Sequence, residues 1–287
     1  VQAVSQARSI DAELGRMLAE HFVPPEAQEL VCRSLSRAPH SHLVVIHDSI
    51  SSIVPWEALT FGEFSPALDS GLSRLYRTSG GDPAMGRASL PANAILKCLA
   101  VVDPTNNLSS AEKEGEMLRQ LFADNRGEVK VLAREQATRV NILDELSSTY
   151  YDVLHYAGHS SFNAASPGES GLHCHDGMLV AADLARTLKV PQLIFLNGCE
   201  SARMRGAPEA AGAGGQGGAD DGSFASSVSL AESFLVNGVA NFIGTFWPVD
   251  DAAAMAFSET FYGSLLAGEL LSIALKAARR ETMKSKS

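Results

Sequence analysis

After Pro91 the sequence alternates between short apolar runs and amphipathic stretches, and this rhythm constrains the fold more than any other feature. Apolar runs of this length predict strands, and apolar residues at a spacing near 3.6 predict helices. In chain order the predicted elements are strand 95–102, helix 110–122, strand 128–132, helix 138–147, strand 151–155, a short helix 181–188, strand 192–196, helix 226–237, strand 239–246, and helices from Asp251 and Leu270. Such alternation predicts an α/β fold with a mostly parallel sheet and helices on both faces.

The first ninety residues follow a different pattern. Apolar spacing predicts a helix over 4–22 and a second helix from Glu26, and Leu43–His47 predict a buried strand. The segment 78–91 is rich in Gly and Pro, which indicates a boundary. We therefore expect two lobes. The N-terminal lobe, over 1–90, consists of helices and a strand, and the second lobe, over 91–287, carries the catalytic residues.

Composition excludes several classes of protein. With 45% hydrophobic and 20% charged residues the chain is an ordinary globular one, and no apolar run reaches the roughly 18 residues of a membrane span. A net charge of −10 disfavours nucleic-acid binding and suits a basic polypeptide partner. Four cysteines without a CxxC pair or a signal peptide predict reduced thiols and a cytoplasmic location. The start at Val1, within a predicted helix, suggests a longer protein whose regulatory partner or sensor domain lies outside this chain.

Polar clusters follow two of the predicted strands at their carboxyl ends. Tyr156 to Ser161 follow one strand, and Asn197 to Ser201 follow the other. In a parallel sheet these ends lie at the same edge, where the active sites of α/β proteins sit. One βαβ crossover separates His159 from Cys199, so we expect their strands to be neighbours.

A thiol beside an imidazole is suited to nucleophilic catalysis. A thiol has an ordinary pKa of about 8.5, and a neighbouring imidazolium lowers it to roughly 3.5–7.5. Gly198 gives the backbone room to turn, and the backbone N–H of Cys199 is a candidate oxyanion donor. Taken singly, a cysteine after a strand is usually a small buried core side chain, and a histidine there is often one. Their joint placement favours catalysis.

Metal and nucleotide sites are disfavoured. His173 to Asp176 have metal-ligand residue types, but adjacent residues on a strand point to opposite faces. His155 and His159 have the helical zinc spacing, yet they lie on a strand and turn without the glutamate of HExxH. The glycines at 212–218 follow no phosphate-loop pattern and belong to a low-complexity segment, 206–222, that predicts a mobile loop. We expect no cofactor and no metal.

Several segments resemble the CHAT peptidases, which are relatives of caspases and separases. In the family's order they are Ile53 to Leu59, His155 to His159, Leu196 to Ser201, Ala231 to Leu235, and Gly244 to Asp251. The resemblance spans most of the chain and implies a caspase-like fold. It also implies that the first lobe is either a degenerate copy of the peptidase lobe or a brace for it.

The resemblance also implies roles for individual residues. It selects His159 over His155 as the catalytic histidine and makes Cys199 the nucleophile. Ser160 stands where the family usually has a glycine whose N–H helps to form the oxyanion hole, and its own backbone N–H can still donate. By similarity to separase, Asp251 lines the pocket for a substrate arginine, with Asp250 as a rival. An equal alternative is that these aspartates cap the following helix.

The sequence thus predicts a cysteine endopeptidase that cleaves a protein substrate, with a preference for Arg or Lys before the cut bond. The resemblance implies gating by a partner or sensor module and a context in bacterial antiviral defence. The alternative is a catalytically silent caspase-like interaction module.

Overall fold

The computed structural model describes most of the chain in separate stretches, which are residues 2–38, 41–48, 51–76, 95–161, 170–187, 189–197, 230–245 and 249–285. By internal contacts the chain divides into two compact units. Unit 1 contains residues 1–85 and 252–287, and unit 2 contains residues 86–251. The C-terminal helices thus group with the N-terminal residues. The division into functional lobes over 1–90 and 91–287 stays a prediction.

Unit 2 is built on a five-stranded parallel sheet. Its strands are β3 (Lys97–Val102), β4 (Glu128–Ala133), β5 (Val153–Ala157), β9 (Leu193–Asn197) and β10 (Asn241–Gly244). The spatial order is β10-β9-β5-β3-β4. The intervening helices are α4 (Ser109–Asp124), α5 (Arg139–Ser148), α6 (Ala181–Ala185) and α7 (230–236). The predicted α/β class and parallel sheet are confirmed.

Helices cover both faces of this sheet because side chains alternate between the faces along each strand. One face contributes Leu99, Leu154 and Ile194 to a buried cluster that also holds side chains of α5, α6 and α7. The opposite face meets α4, where Gly115 lies so close to β3 that a Cβ atom would stand 3.1 Å from a methyl of Val102. The central strands are buried on both sides, which explains their continuous apolar runs.

A small antiparallel sheet was not predicted. It consists of β6 (Ser160–Ser161), β7 (Gly171–Cys174) and β8 (Gly177–Val180), in that spatial order. β6 begins three residues after β5 ends, so this sheet continues directly from the carboxyl end of a central strand. Strands of two to four residues are too short to give a periodic signal in the sequence.

Unit 1 contains the long helices α1 (Gln2–Phe22) and α2 (Pro25–Arg37), a two-stranded parallel sheet and the C-terminal helices. The remaining elements are β1 (Leu43–His47), 3-10 turns at Ser51–Ile53 and Trp56–Ala58, the short helix α3 (Pro66–Asp69), β2 (Leu72–Tyr76), α8 (Asp251–Leu266) and α9 (Leu271–Ser285). β2 was not predicted. The expectation of a buried β1 is wrong in part: Val44 and Ile46 are exposed, because they share the face of the strand that the described residues leave uncovered.

An ion-pair network joins the ends of unit 1. Arg74 binds the Glu57 carboxylate with its Nε and Nη2 groups, and Arg279 on α9 lies 3.8 Å from the same carboxylate and donates to the Leu72 carbonyl at 2.9 Å. Burial alone would raise the pKa of Glu57, but the two guanidinium groups outweigh burial and lower it. The network therefore ties the C-terminal helix to the Pro55–Leu59 segment.

In the stretches that the structure describes, the helices are either too short or too polar to cross a lipid bilayer.

Candidate active site

The two strands predicted to carry the catalytic residues are neighbours. β5 pairs in parallel with β9, and the register places Ala157 opposite Asn197 at their carboxyl ends. In the sequence His159 follows Ala157 by two residues, and Cys199 follows Asn197 by two. The structure thus aligns the two strand ends that precede these residues. Cys199 itself, with Gly198 and Glu200, lies outside the described residues, as do Trp247 and the segment 206–222.

His159 is buried directly beyond the end of β5. His159 is only 3% exposed. Its Nε2 atom lies 3.0 Å from Oδ1 of Asn107, in the loop after β3. A second imidazole, that of His173 on β7, lies edge-on to it with ring centroids 6.5 Å apart. Burial, and then the proximity of His159, lower the pKa of His173. Sequence reasoning missed both Asn107 and His173 as neighbours of the catalytic candidate.

The main chain at His159 is held by a buried tyrosine. The hydroxyl of Tyr156 donates to the carbonyl oxygen of His159 and reaches the carbonyl oxygen of His173 at 2.8 Å. For this the tyrosine side chain must fold back across Gly158, where a Cβ atom would lie 2.6 Å from the hydroxyl oxygen and 2.9 Å from Cδ of Pro104. Real Cβ contacts are essentially never this short. Gly158 is therefore needed for the geometry of the His159 turn.

Replacing Gly158 with Ala is expected to destabilise the protein by about 1–3 kcal/mol, because the new methyl group displaces Tyr156 and strains the turn. The free energy of unfolding from urea titration measures this. Gly263→Ala is the matched control: Gly263 lies in α8 with open space around its Cα, so the same change is expected to be neutral or slightly stabilising. Equal stability of the Gly158→Ala variant and the wild type would contradict the packing argument.

His155 occupies a different environment from His159. It is completely buried in β5, on the face toward α4, and its ring stacks on Phe195 with centroids 5.1 Å apart. Its Nε2 atom lies 3.5 Å from the carboxylate of Glu114, a contact that is an ion pair only when the imidazole is protonated. Complete burial dominates and lowers the pKa of His155 to about 3, so the ring is neutral at pH 7. These surroundings suit a core residue that packs between β5 and α4.

Glu114 is a further buried residue that sequence reasoning missed. It lies in α4, is 3% exposed, and accepts a hydrogen bond of 2.7 Å from the side-chain amide of Asn197. Asn197 ends β9 and immediately precedes Gly198, so this bond anchors the strand end that leads to Cys199. A signal was present in the sequence, because Glu114 lies within the apolar stripe of α4 that Ala111, Leu118 and Phe122 define.

Acid is expected to destabilise the protein through His155. The unfolded chain takes up this proton below about pH 6.5, whereas the folded protein resists it down to about pH 3, so the stabilisation is complete above pH 6.5 and is lost as the pH falls toward 3. Between pH 7 and pH 5 the loss is about 2 kcal/mol. The urea concentration at the midpoint of unfolding should therefore depend less on pH in His155→Gln than in the wild type. His175→Gln, at an exposed histidine, is the control and should retain the full dependence.

The backbone N–H of Ser160 takes no part in the hydrogen bonds between β6 and β7. The N–H of His173 donates to the carbonyl of His159 at 2.9 Å, which makes residues 159 and 173 a hydrogen-bonded pair. Pairs alternate along an antiparallel ladder, so the next pair, Ser160 with Leu172, makes no ladder bonds. The N–H of Ser160 therefore points away from β7. Its role in an oxyanion hole stays a prediction.

Asp250 and Asp251 are both exposed, and Asp251 is the first residue of α8. A carboxylate in the first turn of a helix interacts favourably with the helix dipole. This interaction fits the alternative in which these aspartates cap α8. That role and a role in substrate binding remain compatible, because an exposed carboxylate stays accessible to a ligand.

The other cysteines differ from a catalytic thiol. Cys98 is completely buried in β3, and burial strongly raises the pKa of its thiol. Burial likewise raises the pKa of Cys174 to about 12. Cys32 is partly buried in α2. In the described stretches no group of three or more His, Cys, Asp and Glu side chains is arranged to hold a metal ion, and His175 instead contacts the Pro104 carbonyl at 3.3 Å.

The family model of the CHAT domain matches residues 12–287. A search of curated proteins gives no match to this sequence.

Proposed function

Because the chain belongs to the CHAT domain family of caspase-like proteases, we propose that it is a cysteine endopeptidase with Cys199 as nucleophile and His159 as general base. The observation that carries the proposal is the register of β5 and β9, which aligns the strand ends that precede these two residues. The burial of His159 and its hydrogen bond to Asn107 support the proposal, because a base must be held in one orientation to act.

In this mechanism His159 takes the thiol proton, and the Cys199 thiolate attacks the carbonyl carbon of the substrate. The backbone N–H groups of Ser160 and Cys199 stabilise the oxyanion, and His159 then gives the proton to the leaving amine as the peptide bond breaks. Water hydrolyses the resulting thioester with His159 again as base. The thiol proton leaves with the amine, the water hydroxyl stays on the acyl product, and the remaining water proton returns through His159 to Cys199, so no cofactor is required.

We further propose that the substrate is a protein with Arg or Lys before the scissile bond, and that Asp251, or else its neighbour Asp250, contacts this cation. The exposure of both carboxylates supports the proposal because an incoming cationic side chain can reach them. The overall charge of −10 also favours a basic substrate segment.

Gating by a partner or sensor module, a cytoplasmic location and a role in bacterial defence signalling complete the proposal. They rest on the family resemblance. Digestion of a peptide library by the wild type and by Cys199→Ala tests the central claim, and cleavage that is equal in both would overturn it.

A further inference from the structure

We propose that Asn107 is a positioning residue for His159, whose side-chain oxygen accepts the Nε2–H hydrogen bond and so leaves the lone pair on Nδ1 to receive the thiol proton. This inference rests on the proposed peptidase function and specifies which ring nitrogen performs it.

The contact is direct and its acceptor is defined. Oδ1 of Asn107 lies 3.0 Å from Nε2 of His159. The hydroxyl of Thr105 donates to the same oxygen at 2.6 Å. An amide oxygen carries no hydrogen and can only accept, so the imidazole must supply the hydrogen of its bond to Asn107. The proton of the neutral ring is thereby placed on Nε2.

The loop that carries Asn107 is fixed to the strand that carries His159. The backbone N–H of Asp103 donates to the carbonyl of Ala157 at 2.8 Å, at the very end of β5. The carboxylate of Asp103, a residue only 2% exposed, accepts hydrogen bonds from the backbone N–H groups of Asn107 at 2.8 Å and Leu108 at 3.0 Å. Asn107 therefore cannot move far without breaking contacts that also end at β5.

The backbone of this loop turns at Asp103 and Asn106, whose φ angles of 44° and 56° lie in the left-handed region. Asp and Asn adopt this region more readily than other residues with side chains, so the turn suits the residues that form it. The turn and the hydrogen bonds that hold it place the Asn107 amide on the imidazole.

The chemical consequence concerns the tautomer. A neutral imidazole carries one N–H and one lone pair, and the partner of one nitrogen decides the state of the other. With Nε2–H held by Asn107, Nδ1 accepts the proton from Cys199 and later delivers it to the leaving amine. When the ring is protonated, the Nε2–H bond to Asn107 persists, so the ring keeps its orientation through both steps.

The ¹⁵N spectrum of His159 tests the inference without any cleavage. In the Cys199→Ala protein at about pH 8 we expect the Nε2–H tautomer, with the signal assigned by its loss in His159→Gln. Adding Asn107→Ala should shift the ring toward a mixture of tautomers, whereas Asn107→Asp, which keeps an acceptor oxygen, should retain Nε2–H. Asn125→Ala removes an exposed amide that donates to the Leu121 carbonyl and should leave the spectrum unchanged.

Kinetics of the same substitutions in active protein give the second readout. Asn107→Ala is expected to lower kcat about 10- to 100-fold with KM nearly unchanged, because the ring and not the substrate site is displaced. Asn107→Asp should restore part of kcat. An Nδ1–H tautomer in the presence of Asn107, or tautomer populations that Asn107→Ala leaves unchanged, would overturn the inference. A tautomer that responds as expected in a protein without peptidase activity would instead count against the proposed function alone.

Discussion

Replacing Cys199 with Ala is expected to lower peptide cleavage by about 10⁴-fold or more while the protein stays folded, because no other group can form the thioester. Cys98 and Cys174 cannot substitute for it, since burial raises the pKa of both thiols and keeps them protonated. The measurement is the rate of cleavage of a peptide library, with circular dichroism to confirm the fold. Cys32→Ala is the matched control, and it should cleave at the wild-type rate because Cys32, in α2, has no role in the proposed mechanism.

Alkylation by iodoacetamide provides a readout that does not depend on finding the substrate. A free thiol has a pKa of about 8.5, and a thiol paired with an imidazolium is alkylated at a pH well below that value. In His159→Ala the pH at which Cys199 reacts should rise back toward about 8.5. If Cys199 is alkylated no faster than Cys32 at neutral pH, with all partners present, the chain is better described as a silent interaction module. Undiminished cleavage by Cys199→Ala would remove the residue from the mechanism altogether.

The second effect is expected at the aspartates before and at the start of α8. Asp251→Ala should reduce the preference for Arg or Lys by about fivefold, because an ion pair with an exposed carboxylate contributes on the order of 1 kcal/mol. The measurement is kcat/KM for peptides that differ only in Arg, Lys or Leu before the cut bond. Cleavage of the Leu peptide should change little.

Asp250→Ala is the matched control, since the two aspartates are adjacent and both exposed. If selectivity disappears in this variant and persists in Asp251→Ala, the specificity role belongs to Asp250. Selectivity that persists in both variants rejects the proposed pocket. The free energy of unfolding distinguishes a capping role from a role in substrate binding. Loss of a carboxylate at the start of a helix lowers that free energy by about 0.3–1 kcal/mol and changes no substrate preference.

Local patterns in the sequence were sufficient for the central sheet. The predicted strand 95–102 is observed as Lys97–Val102, and the predicted helix 110–122 as Ser109–Asp124. The predicted strand at 151–155 is shifted by two residues, to Val153–Ala157. Tyr156 and His155 carry polar groups but are both buried, so they do not mark where the strand ends.

Contacts between distant residues were not predictable in the same way. Asn107 and His159 are 52 positions apart, and Glu114 and Asn197 are 83 apart. Neither pair leaves a periodic trace, because each side chain is placed by the loop or helix that carries it and not by its immediate neighbours in the sequence. The antiparallel strands β6, β7 and β8 escaped prediction because they are too short to show alternation.

The sequence by itself therefore determined the order of the central strands and of the helices between them, the α/β class and the two strand ends at which a histidine and a cysteine are expected, because burial of apolar runs is a local requirement. The register of β5 against β9, the bond from Asn107 to His159 and the buried Glu114 were decided only by the tertiary structure. Hydrogen bonds need donor and acceptor within about 3 Å, and only the packing of the whole unit brings such atoms together.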